Sequence, residues 1–209
     1  MPLENITLFL YLDVFGTIVF ALTGIMVAAR HDMDFFGAIV LATVTAIGGG
    51  TLRDILLDIQ PFWMKNVLAL YVILGTSILS FIGIHFIERI PRRAVDIADA
   101  IGLATFTVLG AVKAHSYGMP SEVAIILGIM TGTAGGAIRD ILCNVVPAVL
   151  KERSFYATAS FAGALFWVLT QDLIEFNLGL ILAGLITFGL RMLAIMGYLH
   201  VPGFPKKES

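Results

Sequence analysis

The stretch AIGGGTLRD at residues 46–54 places three consecutive glycines, an arginine and an aspartate at the end of an apolar run. A related stretch, TAGGAIRD, follows at residues 133–140. Glycine lowers helix propensity by about 1 kcal/mol relative to alanine, and charged side chains are costly inside a bilayer. Because the combination is costly and occurs twice, we expect it to have a role in the structure or function of the protein.

The composition around these stretches is that of an integral membrane protein. Of the 209 residues, 58% are hydrophobic and 13% are charged, and the mean hydropathy is +0.95. Apolar stretches long enough to cross a ~30 Å hydrocarbon core as helices lie between the charged segments. Seven can be marked, near residues 7–29, 35–57, 67–87, 96–115, 121–146, 154–171 and 177–199. We predict an all-α integral membrane fold with seven transmembrane helices, forming a single membrane domain over residues 1–209.

Other compositional features exclude several classes of function. A net charge of −2 argues against a nucleic-acid partner, and a single cysteine, Cys143, excludes an intrachain disulfide. The start MPLENI has no basic residue, so we interpret residues 1–29 as a retained helix and not a cleaved signal. Serine-nucleophile, phosphate-loop and zinc-ligand motifs are missing from the sequence, which predicts neither an enzyme nor a cofactor or metal site.

The distribution of basic residues predicts the orientation. Most lie in connections on one side, and only Lys65 and Lys113 lie opposite, apart from the repeated motifs. The basic side should be cytoplasmic, so we predict a cell (inner or plasma) membrane protein with its N-terminus outside and its C-terminus inside. The residues on the basic side are Arg30, Arg89, Arg92, Arg93, Lys151, Arg153, Lys206 and Lys207.

An internal repeat extends well beyond the two motifs. Shifted by 86 residues, the segment 13–65 overlays 99–151 without a gap. Each copy holds three helices, an odd number, so the second copy should cross the membrane in the opposite direction. We predict two inverted repeats, about 7–87 and 96–171, followed by a seventh helix at about 177–199, an arrangement typical of transport proteins. Matched pairs include Asp13 with Asp99, Gly16 with Gly102, Phe20 with Phe106, Gly24 with Gly110, Ala28 with Ala114, Thr45 with Thr131, and Arg53-Asp54 with Arg139-Asp140.

The glycines form two patterns. Gly16-Phe20-Gly24-Ala28 and its copy Gly102-Phe106-Gly110-Ala114 have the four-residue spacing of a helix-packing stripe. Adjacent glycines such as Gly48, Gly49 and Gly50, or Gly135 and Gly136, cannot share one packing face. The thirty residues 35–64 would also span about 45 Å as one straight helix, longer than the membrane core. We therefore predict that helices 2 and 5 are broken or kinked at these glycines, with packing as the alternative.

The charged residues suggest an aspartate–arginine ion pair, here called a clasp, at each end of a central passage. Asp13 and Arg53 share one depth near the outside, and Asp99 and Arg139 share the matching depth near the inside, so we predict that each pair is in contact. Two alternatives are charges that snorkel at helix ends, and pairing of Arg53 with its neighbour Asp54. Threonines between the clasps either line the passage or bond to helix carbonyls; they are Thr43, Thr45, Thr51, Thr131 and Thr133.

Four further residues have weaker interpretations. Lys113 and Arg191 lie near helix ends, where both can snorkel, although Lys113 has the alternative of a voltage-sensing charge. His85 and His115 stand without metal-ligand spacing.

The seven-helix plan with GGGTLRD and AGGAIRD at matching places resembles the prokaryotic trimeric intracellular cation (TRIC) channels, which are related to a bacterial family labelled as a glycine-transporter domain. The resemblance implies a homotrimer with a pore in each protomer, lined by kinked helices 2 and 5 and permeable to monovalent cations, chiefly K⁺. Membrane lipids are further expected partners. Motif positions that carry over are Gly48, Gly49, Gly50, Arg53, Asp54, Gly135, Gly136, Arg139 and Asp140; the second copy has Ala134 where the first has Gly48.

Two functions of different classes follow. A cation channel would use aspartate and threonine oxygens as weak sites that ions leave quickly. A secondary transporter of a small zwitterion such as glycine would bind carboxylate and ammonium at broken helix ends. The resemblance favours the channel. In the animal channels a lysine on helix 4 is linked to voltage response, and Lys113 lies on that helix.

Overall fold

The computed structural model describes residues 3–83, 90–151 and 155–199, and all of its regular elements there are helical. The all-α prediction is therefore confirmed. A 3₁₀ turn spans Ala148–Leu150. The α-helices of the described ranges are α1 (Leu3–Arg30), α2 (Phe35–Leu56), α3 (Phe62–Lys65), α4 (Leu68–Ile82), α5 (Arg92–Ser116), α6 (Ser121–Leu142), α7 (Tyr156–Thr170) and α8 (Phe176–Ile195).

Five helices of the described chain are long and apolar enough to cross a membrane: α1, α2, α5, α6 and α8. Helices α4 and α7 are apolar but have 15 residues each, about 22 Å at 1.5 Å per residue. The predicted stretches 67–87 and 154–171 reach into residues 84–89 and 152–154, outside the described residues. His85 and four of the basic residues used for orientation (Arg89, Arg153, Lys206 and Lys207) also lie outside them.

The first three helices and their copies pack in the same order. Helix α1 packs on α2 as α5 packs on α6, and α1 and α5 also contact each other. At that contact the rings of Phe20 and Phe106 lie 5.2 Å apart. A Cβ on Gly102 would collide with the Phe20 ring, and one on Gly24 would lie 2.6 Å from the Cα of Ala42. The packing role predicted for the glycine stripe is confirmed.

Helices α2 and α6 run unbroken through their adjacent glycines, so the predicted interruption is wrong. At the contact between the two helices, a Cβ on Gly49 would collide with the carbonyl oxygen of Thr131, and a Cβ on Gly135 with that of Thr45. Glycine is therefore needed because two helix backbones touch there. A bend of the helix axes stays a prediction.

The other two glycines of the triplet face different neighbours. A Cβ on Gly48 would lie 3.0 Å from the Ile138 side chain, and one on Gly50 would lie 2.7 Å from the Phe62 ring. Adjacent glycines indeed point in different directions, but each direction is occupied by another part of the protein. The packing alternative is therefore present: the three glycines do not share one face, but each packs against a different neighbour.

The excess length of the predicted helices is explained by how they end. After α2, Asp58 adopts a left-handed conformation with φ 54°, and Ile59 N–H donates to the Asp54 carbonyl at 3.0 Å. After α6, Asn144 also has φ 54°, and Val145 N–H donates to the Asp140 carbonyl at 2.9 Å. Both are Schellman caps, which aspartate and asparagine tolerate better than most residues. The chain then turns into α3 or the 3₁₀ turn.

Candidate functional site

Arg53, Asp54 and Lys113 form a buried charged group, here called the first cluster. The Asp54 side chain is inaccessible to solvent and lies 2.8 Å from Arg53 Nη2 and 2.9 Å from Lys113 Nζ, both measured to Oδ1. Arg53 Nε also donates to this oxygen at 2.8 Å. Because Lys113 comes from α5, the cluster joins the first repeat to the second.

The first cluster also fixes the chain after α2. The second carboxylate oxygen of Asp54 accepts a hydrogen bond from the backbone N–H of Phe62 at 2.9 Å. The Phe62 ring lies 5.9 Å from Lys113 Nζ and 6.0 Å from the Arg53 guanidinium, within the range of a cation–π contact. Asp54 therefore holds α3 against the two cations.

Asp99, Arg139, Asp140 and Tyr156 form the second cluster. Arg139 bridges the two carboxylates, with Nη1 2.9 Å from Asp99 Oδ1 and Nη2 2.9 Å from Asp140 Oδ1. The Tyr156 hydroxyl donates to Asp99 Oδ2 at 2.7 Å. Asp140 Oδ2 accepts from Ala148 N–H at 2.9 Å, which repeats the bond between Asp54 and Phe62 at the 86-residue offset.

One of the two predicted clasps is present. Asp99 and Arg139 form an ion pair, as expected. Within the described residues Asp13 makes no ion pair, and Arg53 instead bonds to its neighbour Asp54. The alternative pairing of Arg53 with its neighbour is therefore the one present, because a long arginine side chain can fold back along its own helix.

Two differences between the repeats explain why only one clasp is closed. Tyr156, which begins α7, bonds to Asp99, whereas α4 begins with Leu68, which cannot donate to Asp13. Lys113, which holds Asp54, has Val27 as its counterpart in the first repeat. The aligned segment ends at residue 151, so the repeat alone could not reveal Tyr156.

Four of the five threonines between the clusters bond to helix carbonyls. Thr43, Thr45, Thr51 and Thr131 each donate to the carbonyl four residues earlier, at 2.6 to 2.7 Å. Thr51 also accepts from Trp63 Nε1 at 3.0 Å. The predicted bonding of threonine hydroxyls to helix carbonyls is therefore present. Lining of a passage by Thr45 and Thr131 stays a prediction.

Lys113 and Arg191 contact other side chains of the protein, and whether either reaches the membrane surface stays a prediction. The Lys113 side chain is 18% exposed in its contact with Asp54, and Arg191 is 8% exposed, with its guanidinium 5.0 Å from the Tyr156 ring. His115 packs edge-on against Trp167 at 5.7 Å. Sequence reasoning missed Phe62 and Tyr156 and interpreted Arg191 only as a charge near a helix end, because single aromatic or basic residues beside apolar stretches carry no pattern.

Asp13 and the second cluster each line a cavity. Asp13 lines a cavity of about 240 Å³ between α1, α3 and α4. Phe62, whose ring contacts the two cations of the first cluster, lines the same cavity. Asp99, Arg139 and Asp140 line a cavity of about 370 Å³, together with Arg30, Lys151 and Arg191. In the described part of the chain, no group of three or more His, Cys, Asp or Glu side chains could hold a metal ion.

Known proteins similar to this chain are membrane proteins. A protein-family model described as Glycine transporter matches residues 10–85 and again residues 96–172. A UPF0126 membrane protein of Vibrio cholerae is 41% identical over 201 residues, which are 95% of this chain and 84% of that protein. The UPF0126 inner membrane protein YadS of Escherichia coli is 37% identical over 204 residues, 95% of this chain and 97% of its own length.

Solved structures that resemble this chain are channels, not enzymes. The TRIC trimeric intracellular cation channel orthologue from Rhodobacter sphaeroides superposes with a TM-score of 0.85 at 34% identity, covering 91% of this chain and 98% of that chain. A second TRIC cation channel structure gives a TM-score of 0.84 at 31% identity, covering 95% of this chain. The chain belongs to the Glycine transporter family, together with the UPF0126 membrane proteins, and is related to the TRIC cation channels.

Proposed function

We propose that this protein is a K⁺-permeable cation channel that works as a homotrimer with one pathway in each protomer. The observation that carries the proposal is the similarity to TRIC channel structures over nine-tenths of the chain, at 34% identity and a TM-score of 0.85. The charged clusters support it, since buried ionisable groups in membrane helices are typical of ion pathways.

The proposed pathway follows α2 and α6 and has a cluster at each end. By the distribution of basic residues, the first cluster faces outside and the second faces the cytoplasm. Between them, α2 and α6 touch at Gly49 and Gly135, so conduction requires these helices to shift relative to each other. Residues assigned to the hinge are Gly48, Gly49, Gly50, Gly135 and Gly136. Those assigned to the pathway or its gating are Asp13, Thr45, Arg53, Asp54, Asp99, Lys113, Thr131, Arg139 and Asp140.

A secondary transporter of a small zwitterion such as glycine is the second candidate. One observation favours it: Asp13 forms no ion pair within the described ranges, whereas the cations Arg53 and Lys113 both bond to Asp54. A carboxylate and cations held apart in this way match the opposite charges of an amino acid. The description of the family model points the same way.

Recordings from the purified protein in a planar bilayer test the proposal. Under a KCl gradient we expect discrete unitary currents whose reversal potential lies near that of K⁺. The matched variant is Gly49→Leu, which should abolish the currents, with Gly184→Leu on α8 as the control because its Cβ direction is open. Saturable glycine uptake into proteoliposomes, without unitary currents, would establish the transporter instead.

A further inference from the structure

The cavity between α1, α3 and α4 contains two polar side chains on one face of α1. Asp13 and Thr17 are four residues apart, so their side chains are neighbours on the helix. Both line the cavity of about 240 Å³, together with Phe62 and Asn66. This cavity lies beside the contact of α2 with α6 and not within it.

Thr17 has an unusual hydrogen-bonding state. The residue is 1% exposed, and its hydroxyl oxygen has no hydrogen-bond partner among the described residues. A buried hydroxyl without a partner is costly, and threonines within helices usually bond to the carbonyl three or four residues earlier. Other threonines of this protein do so, namely Thr23, Thr43, Thr45, Thr51, Thr105, Thr131, Thr170 and Thr187.

Asp13 is half-buried and, within the described ranges, has no ion-pair partner. The cations near it, Arg53 and Lys113, both bond to Asp54. Its counterpart Asp99 is held by Arg139 and Tyr156. The second repeat also has Leu103 at the position of Thr17. The hydroxyl is therefore present only in the repeat whose carboxylate lacks an ion pair.

We propose that Asp13 and Thr17 form a binding site for a dehydrated monovalent cation, with K⁺ as the ligand under the proposed channel function, on which this inference rests. A single carboxylate with neutral oxygens suits a monovalent ion, whereas divalent cations take several carboxylates. Phe62 and Asn66 also line the cavity, and its other lining residues are the apolar Phe9, Leu10, Val14, Leu68 and Ala69.

The affinity of this site is low, because the charges of Arg53 and Lys113 balance those of Asp54 and Asp13. A bound K⁺ therefore adds a net charge to the group. Conduction needs binding that is favourable enough for entry and weak enough for release. A low-affinity site beside the first cluster meets that need, because it can bind an ion next to the pathway and release it again.

The test is the thermal unfolding midpoint of the full-length protein in detergent. KCl is exchanged for N-methylglucamine chloride at constant ionic strength, with NaCl, methylammonium chloride and glycine as further arms. We expect K⁺ to raise the midpoint by roughly 3–5 °C when its concentration is about ten times the dissociation constant. Asp13→Asn and Thr17→Val should lose this rise. Thr105→Val is the control, since Thr105 bonds to the Ile101 carbonyl on α5.

The outcomes separate this site from the proposed function. A rise that is absent in the wild type, or that persists in both variants, overturns the site whether or not the protein conducts. A rise that Thr17→Val removes in a protein without unitary currents supports the site and overturns the channel. A rise with glycine but not with K⁺ overturns the choice of ligand. If Asp13→Asn does not fold, Thr17→Ser should keep the rise that Thr17→Val loses.

Discussion

At the scale of single residues, the carboxylate of Asp54 connects three parts of the protein. It binds Arg53 of its own helix, Lys113 of α5 and the backbone N–H of Phe62 in α3. Arg53 and Lys113 both depend on this fully buried carboxylate, because without it each cation would lie unpaired in a low-dielectric environment. Asp54 is thus the residue of the first cluster whose loss should cost most.

We expect Asp54→Asn to lower the free energy of unfolding by about 3–5 kcal/mol, the cost of leaving buried charges unpaired. Asp58→Asn is the matched control, since Asp58 is exposed and the second repeat already has Asn144 at the equivalent left-handed position. Chemical unfolding in detergent measures both.

A double-mutant cycle should find stronger coupling of Arg53 to Asp54 than to Asp13. The reverse order would restore the clasp predicted from the sequence.

At the scale of helices, the contact of α2 with α6 is made twice by the same chemistry. Gly49 meets the Thr131 carbonyl, and Gly135 meets the Thr45 carbonyl. Such reciprocal contacts are what a local two-fold axis between the repeats produces. The adjacent glycines serve this close approach, and the Schellman caps at Asp58 and Asn144 set where both helices end.

We expect Gly49→Ala and Gly135→Ala each to destabilise the protein by about 1–3 kcal/mol, because a methyl group would force the helix backbones apart. The double variant should lose less than the sum, since both residues serve one contact. Gly184→Ala on α8 is the control and should be neutral or stabilising, because nothing lies near its Cβ direction. Thermal unfolding measures all four proteins. Fully additive losses would mean that the two contacts are independent.

The sequence predicts the helical elements and the repeat well, because apolar length and an ungapped offset are properties of the chain itself. It also predicts the pair of Asp99 with Arg139. The sequence does not predict the other charge pairs, because these depend on residues that differ between the repeats. The first repeat has Leu68 at the start of α4 and Val27 on α1, where the second has Tyr156 and Lys113, and no periodicity shows that these residues decide which charges pair. The glycine triplet was misinterpreted because its neighbours Thr131 and Phe62 are distant in sequence.

At the scale of the whole molecule, two inverted repeats should place the starts of the equivalent helices α2 and α6 on opposite sides of the membrane. Cys143 is the only native cysteine, so Cys143→Ala gives a background without reactive thiols. In that background a cysteine at the exposed Ser121, at the start of α6, should react with an impermeant maleimide from outside, and one at the exposed His31, just before α2, only after the cytoplasmic side is opened. Labelling of both from one side would contradict the inverted repeat.

The unequal partners of Asp13 and Asp99 have an electrical consequence. A strictly two-fold arrangement would respond identically to either sign of the membrane potential, because reversing the field would exchange two equal ends. Here one end has Lys113 on Asp54 and the other has Tyr156 on Asp99. Displacing one elementary charge through 100 mV involves about 2.3 kcal/mol. The field therefore acts on different contacts at the two ends, and a passive current through such a molecule should rectify.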